Sequence, residues 1–272
     1  MRPIVTLTTD FGSSDSFVGA VKGVLLSRCP DVQIVDISHD VPPRSIRVGA
    51  LRLASAARYF PKRTVHLCVV DPGVGGERRP IAISAGGHFF VGPDNGVLAL
   101  AALGRKRWRA VELANPRYRL SPVSQTFHAR DIFAPAAALL ACGGSMEDLG
   151  PDLRNPARIR WPRPRRSNGR LLGTVVDVDH FGNVVTNVSR RDLEGRDVER
   201  VEVGSVSITS LSTSYDPSRR LVAILSSDDC LEIAAPLGDA AAMLDVRVGS
   251  PVEVWFARHR VLSDAASNGV DG

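Results

Sequence analysis

The first half of the chain alternates short apolar runs with polar, glycine-bearing breaks, and the period of each run sets its element. Residues 64–70, Thr-Val-His-Leu-Cys-Val-Val, read as a strand covered on both faces. The run stops at Asp71-Pro72-Gly73-Val74-Gly75-Gly76, where glycines permit positive φ and close backbone approach. The layout recurs along the chain. A strand at 4–9 ends in Asp10-Phe11-Gly12, and one at 32–37 ends in Ser38-His39-Asp40. A β pair at 81–84 and 89–91 turns at Gly86-Gly87 and ends in Gly92-Pro93-Asp94. Helical patterns at 17–26, 45–59, 97–103 and 131–141 alternate with these strands, and a further strand falls near 110–113. Strands alternating with helices predict an α/β fold with a doubly wound, mostly parallel sheet. In such a sheet Asp10, the His39-Asp40 pair, Asp71 and Asp94 share the rim where open α/β sheets meet ligands. Taken alone, the Asp71 turn fits a cap for the next segment equally well.

From residue 171 the pattern changes to short strands at 171–178, 183–188, 201–209, 221–226 and 252–257, with a short helix at 238–244. Asn168-Gly169 and Gly204-Ser205 supply turns, and this region predicts a small β-barrel or sandwich. The expected organisation is an α/β domain at 1–152, an Arg/Pro-rich linker at 153–170, a β-barrel domain at 171–262 and a disordered tail at 263–272.

Composition narrows the class. A chain of 272 residues, 44% of them hydrophobic, has enough apolar mass for an ordinary globular core. No segment approaches the roughly 18–20 apolar residues of a membrane helix. Met1-Arg2-Pro3-Ile4-Val5 enters a strand without a signal-peptide pattern, so a cytoplasmic protein is expected. Cys29, Cys68, Cys142 and Cys230 lie far apart with no C-x-x-C, and read as reduced residues, neither disulfides nor zinc ligands. The net charge of +5 is concentrated: seven arginines and no acid lie between Arg154 and Arg170. A nucleic-acid contact is one reading of that stretch. Its prolines and its place between two patterned regions favour a solvated linker or an oligomer contact.

The candidate chemistry is a set of acids on a sheet edge, an arginine seven residues beyond Asp71, and His128 behind Thr126-Phe127. Each is weak alone; a histidine opening a helix usually caps or packs. Together they fit a hydrolytic site in which a charged trio holds and polarises a water. The histidines show no H-x-H or H-x-x-x-H spacing, so no metal is expected. No G-x-S-x-G elbow and no G-x-G-x-x-G or G-x-x-x-x-G-K-[ST] loop is present, which argues against a serine nucleophile, a dinucleotide and a nucleoside triphosphate.

Four motifs stand in one order: Thr8-Thr9-Asp10-Phe11-Gly12, Asp71-Pro72-Gly73-Val74-Gly75, Thr126-Phe127-His128-Ala129-Arg130-Asp131, and Asp179-His180-Phe181-Gly182-Asn183-Val184-Val185-Thr186-Asn187. In these the chain resembles the S-adenosyl-L-methionine hydroxide adenosyltransferases, relatives of the fluorinating and chlorinating enzymes that use the same substrate. The resemblance runs from Ile4 to about Ala257. It implies an N-terminal α/β domain with a C-terminal β-barrel, and a homotrimer whose active sites lie between subunits. It implies cleavage of S-adenosyl-L-methionine by water into adenosine and methionine, with no cofactor and no metal. By the same resemblance Asp71, Arg78 and His128 position and activate the water, and Asp10 binds the ribose diol. Asp179 holds the methionine ammonium, while Phe181 and Asn183 bracket and hydrogen-bond the adenine. Ser226, Ser227, Glu232 and the backbone near Ala234 close over the ligand. Ala129 replaces a common Gly, Phe17 a frequent Tyr, and Ala235-Pro236-Leu237 a more polar run; the last change bears on the neighbour-side contacts.

That chemistry suits the residue types. A sulfonium leaves as a neutral thioether, so only the nucleophile needs help, and a guanidinium, a carboxylate and an imidazole supply it. Two other readings stay open at this point: a halide in place of water, which needs no proton acceptor, and a module that binds adenosine or S-adenosyl-L-methionine without chemistry.

Overall fold

Val65–Val69 is buried at every position, because both faces of this short run meet apolar side chains. In the computed structural model, which describes residues 2–257, it is an inner strand of a six-stranded sheet. The described chain falls into two units that divide between Trp161 and Pro162.

The first unit runs β1 (Ile4–Thr9), α1 (Phe17–Arg28), β2 (Gln33–Ser38), α2 (Ile46–Ala57), β3 (Val65–Val69), β4 (Pro80–Ala85), β5 (His88–Pro93), α3 (Ala99–Ala102), β6 (Trp108–Glu112) and α4 (Ala134–Ala141). The sheet order is β2-β1-β3-β5-β4-β6, with β2, β1, β3 and β5 parallel and β4 antiparallel to both its neighbours. Helices cover both faces. Val21 and Leu25 of α1 and Ala134–Leu140 of α4 share one core with Leu7, Leu67 and Val91. Val48 and Leu53 of α2 and the alanines of α3 share the other with Val70, Ile81 and Phe90. This is the doubly wound sheet that the alternating pattern predicts.

Two details differ from the sequence reading. Cys29 and Cys142 form a disulfide, with Cα atoms 6.0 Å apart. The expectation of reduced cysteines is therefore corrected for this pair; Cys68 and Cys230 lie outside it. Each bonded cysteine caps the C-terminus of a helix, α1 or α4, and these helices pack side by side. Their separation of 113 residues left no spacing signal. The helix expected at 131–141 opens instead with a wider π-type turn, Ala129–Phe133, directly after His128.

The second unit contains β7 (Arg165–Ser167), β8 (Arg170–Val178), β9 (Val184–Ser189), α5 (Arg190–Leu193), β10 (Val198–Val203), β11 (Val206–Thr209), β12 (Val222–Leu225), β13 (Cys230–Ala234), α6 (Ala240–Leu244) and β14 (Pro251–Phe256). The order β11-β10-β14-β8-β9-β13-β12 is antiparallel throughout, with β7 added beside β8. Ser212, beyond β11, bridges to Ile224 of β12 and brings the sheet close to a closed barrel. Leu171, Val184, Leu231, Ile233 and Val254 fill its single core. The run at 201–209 splits into β10 and β11 at Gly204, whose φ is +58°. The Arg/Pro-rich stretch ends in β7, joined to β8 by a turn at Asn168-Gly169. Arg170 stacks over Trp255 and pairs with Glu253, and Arg166 lies over Phe256. No described helix is long and apolar enough to cross a membrane. The tail expected at 263–272 lies outside the described residues.

Candidate active site

Four parallel strands put four carboxyl ends on one edge of the first unit, so Asp10, His39-Asp40, Asp71 and Asp94 do share a rim. Their partners differ. Asp94 is neutralised by Arg79, at 2.5 Å, and accepts the Ala157 N–H; it ties down a loop. Asp71 instead pairs with Arg78, and that pair reaches His128.

The turn after β3 is closed by Val74 N–H on the Asp71 carbonyl and Gly76 N–H on that of Gly73. It returns Arg78 to the carboxylate seven residues earlier. Arg78 Nε donates to both Asp71 oxygens at 3.0 Å, and Nη2 donates to Oδ2 at 2.6 Å. The side chains are only 5% and 10% exposed, so removing one partner from such a pair costs about 3–5 kcal/mol. The guanidinium also lies over the buried Phe133 ring, 5.3 Å from its centroid.

His128 arrives from a loop fifty residues away, and two devices bring it in. Asp131, fully buried, accepts the Ser124 N–H and pairs with Arg130, folding the preceding loop back on the π-type turn. Gly75, at φ +76°, lets the Gln125 carbonyl approach to where a Cβ would stand 2.3 Å away, so a side chain there would separate the two loops. Arg78 Nη2 then lies 2.7 Å from His128 Nδ1. A guanidinium only donates, so Nδ1 accepts and the neutral ring carries its hydrogen on Nε2. Burial, and then the adjacent Arg78 charge, hold the imidazole pKa below its ordinary value.

Asp10 sits beside this trio in the same unit, where its Oδ2 accepts the Arg44 N–H at 2.7 Å. Phe11 and Phe127, the neighbours of Asp10 and His128, meet edge to face at 6.1 Å, and Phe17 closes the cluster at 5.3 Å from Phe127. Phe17 is 46% exposed, so the cluster presents an apolar wall between the two polar groups.

In the second unit Asp179 organises a tight turn. Its Oδ1 accepts the Phe181 and Asn183 N–H groups, and its Oδ2 accepts Asn183 Nδ2 at 2.9 Å. Gly182, at φ +79°, packs against Asp239. Asn183 is buried, and the Phe181 ring is 74% exposed. Glu232 lies within electrostatic range of Asp179; burial raises its pKa although the Tyr215 hydroxyl donates to it at 2.9 Å. Ser226 and Ser227 form the hairpin between β12 and β13, and Ala234 ends β13 fully buried. Among the described residues no group of three or more His, Cys, Asp or Glu is arranged to hold a metal ion.

Sequence reading missed Tyr215, the Arg44 backbone donor and the Gly75–Gln125 approach. Only the first carried a signal, a lone aromatic in a polar loop; the others are backbone contacts.

Both units match domains of one known family. The SAM hydroxide adenosyltransferase N-terminal domain matches residues 5–150 and the C-terminal domain of the same family residues 173–253. The chain is similar to the (R)-S-adenosyl-L-methionine hydrolase of Salinispora tropica, 48% identical over 71% of this chain and 74% of that protein. It is 39% identical to a hydrolase of the same name from Thermus thermophilus, over 93% of this chain and 100% of that one. In three dimensions it resembles the crystal structure of an uncharacterized conserved protein from Thermotoga maritima, with a TM-score of 0.85 and 36% identity over 93% of this chain and 99% of that one.

Proposed function

The chain belongs to the SAM hydroxide adenosyltransferase family, and from that premise we propose that Asp71, Arg78 and His128 direct water onto C5′ of S-adenosyl-L-methionine. The reaction is hydrolysis to adenosine and L-methionine. A C5′–O bond forms as the C5′–S bond breaks, the sulfonium sulfur takes the electron pair and leaves as a neutral thioether, and the water loses a proton.

The observation that carries the reading is the bonded trio at the sheet rim. Arg78 stabilises developing hydroxide character and His128 Nε2–H fixes the water's orientation, since its other nitrogen is engaged. The proton passes to the Asp71 carboxylate, which neutral His128 does not replace. Holding the oxygen in line behind C5′, at about 3–3.5 Å, supplies the positional part of the rate. A halide anion would be repelled by the Asp71 charge, whereas water can donate a hydrogen bond to it. Asp10 accepts hydrogen bonds from the ribose diol. Asn183 gives one of its two amide hydrogens to Asp179, which fixes the amide plane, and its carbonyl oxygen accepts from the adenine amine, with Phe181 stacking on the base. Asp179 and Glu232 take the methionine ammonium, and Ser226, Ser227 and the Ala234 backbone close over the ligand.

The test is turnover of S-adenosyl-L-methionine in ¹⁸O-water with mass analysis of both products. The label is expected at the 5′ oxygen of adenosine and absent from methionine; unlabelled adenosine or no turnover rejects the reading. The proposal includes a homotrimer in which neighbouring subunits complete each site, read out by sedimentation equilibrium, and turnover without added cofactor, read out after chelation and dialysis. It also includes a cytoplasmic location. Cys68, which is buried and outside the bridge, fits that compartment and the Cys29–Cys142 bridge does not, so thiol titration in fresh extract decides.

A further inference from the structure

A chain of polar contacts runs behind Asp10 that the reaction itself does not use. Thr9, 2% exposed, places its hydroxyl 2.9 Å from His39 Nδ1. His39 Nε2 lies 3.1 Å from Asp36 Oδ1, and Asp36 Oδ2 pairs with Lys22 at 2.6 Å. The other end of the chain meets the loop backbone. Thr9 Oγ1 accepts the Phe11 N–H at 3.4 Å, and the His39 carbonyl accepts the Gly12 N–H at 2.9 Å. With Nδ1 engaged by the Thr9 hydroxyl, His39 Nε2 makes no hydrogen bond and meets the Asp36 carboxylate as an ion-pair contact. Exposure falls along the chain: the Asp36 side chain is 41% exposed, that of His39 only 11%, and Thr9 is buried.

We propose that Asp36, His39 and Thr9 form a positioning relay that holds the Asp10-Phe11-Gly12 loop, and with it the Asp10 carboxylate, for the vicinal diol of a nucleoside. This rests on the reading of Asp10 as the ribose ligand and names the residues that give it its orientation. None of the three touches the substrate. The relay fixes one wall of the Asp10 loop and the Arg44 N–H fixes the carboxylate itself, so losing the relay loosens the backbone and leaves the charge in place.

The test is calorimetric titration of adenosine and of 2′,3′-dideoxyadenosine into the wild-type protein and the variants His39→Ala, His39→Asn and Asp36→Asn. His39→Ala is expected to weaken adenosine about tenfold, two hydrogen bonds being lost or loosened. It should leave the dideoxy compound, which has no diol to bind, within about twofold of the wild type. His39→Asn returns a side-chain partner to Thr9 and should recover most of the loss; Asp36→Asn, at the exposed end, should weaken adenosine about two- to threefold. In steady state KM for S-adenosyl-L-methionine rises and kcat is kept. Equal weakening of both nucleosides, or of neither, overturns the relay, and if His39→Ala does not fold the same ratio in Asp36→Asn decides. A wild type that binds both nucleosides equally instead rejects Asp10 as the diol ligand, which separates the two failures.

Discussion

In the first unit Asp71, Arg78 and His128 spend their hydrogen bonds on one another, with Asp71 and Arg78 almost fully covered. In the second, Asp179 spends its oxygens on the turn that carries it and leaves Phe181 exposed. The first arrangement fixes charge before a ligand arrives, which is what stabilising a transition state requires. The second fixes a backbone and leaves a ring free to be covered, which is what recognition of a flat base requires. Rate should therefore be sensitive to the first unit's residues and affinity to the second's.

The largest effect should come from breaking the trio. His128→Ala and Arg78→Ala are expected to lower kcat by about 10²–10⁴-fold, with adenosine affinity kept within about threefold, by product assay and calorimetry. Arg78→Ala also strands a covered carboxylate and should lower stability by about 3–5 kcal/mol; His128→Ala should not, so it is the cleaner variant. A loss of affinity equal to the loss of rate would erase the division of labour.

Next in size is the exposed ring. Phe181→Ala should raise KM about tenfold or more, as stacking of a base contributes about 1–3 kcal/mol, with kcat little changed. If kcat falls instead, the turn positions the reacting carbon and the two units are not separable in function.

How much of this was legible beforehand follows the same division. Asp71 and Arg78 are seven residues apart after an uninterrupted apolar run, so strand, rim and pair were all readable. His128 was readable only through its motif, because the approach of Gly75 to the Gln125 carbonyl leaves no mark on spacing. Asp94 looked like Asp71 in sequence, yet its charge is consumed by Arg79. The barrel was harder. Strand β13 carries Glu232 in its middle and follows Ser-Ser-Asp-Asp, so its period was masked by a buried acid. Strand β7 lay hidden in an arginine run that reads as linker until Arg166 and Arg170 are seen stacked on Phe256 and Trp255.

A milder probe of the trio is pH. Burial and Arg78 lower the His128 pKa, so the neutral ring persists below the ordinary value of 6.5, and protonation would set two cations 2.7 Å apart. The acid limb of kcat should accordingly lie below pH 6.5, with the rate at pH 6.5 within about twofold of that at 7.5. A limb above 6.5 would mean that the folded protein stabilises imidazolium, contrary to the Arg78 contact. Stability has its own acid window. His66, packed between Phe60 and Phe90 and bonded to Thr6, has its pKa lowered by burial to about 3. The unfolded chain takes up a proton below about 6.5 that the folded chain refuses, so unfolding free energy should fall from there toward pH 3, by at most about 1.4 kcal/mol per pH unit for this residue.

The smallest expected effect tests the second unit on its own terms. Glu232 is buried and its pKa is raised by burial, with Asp179 and Asp228 adding to the rise and the Tyr215 hydroxyl opposing it. Tyr215→Phe removes the one hydrogen bond that favours the charged form, so Glu232 should hold its proton to still higher pH. If a charged Glu232 helps bind the ammonium, the variant raises KM about two- to fivefold near neutrality, and the difference fades as the pH is raised and both proteins ionise. Glu232→Gln should show the same KM without the recovery at high pH. A Tyr215→Phe effect that is flat with pH would mean the hydroxyl matters only for packing the loop over β13. The acid in the second unit would then be structural, leaving Asp179 alone to meet the ammonium.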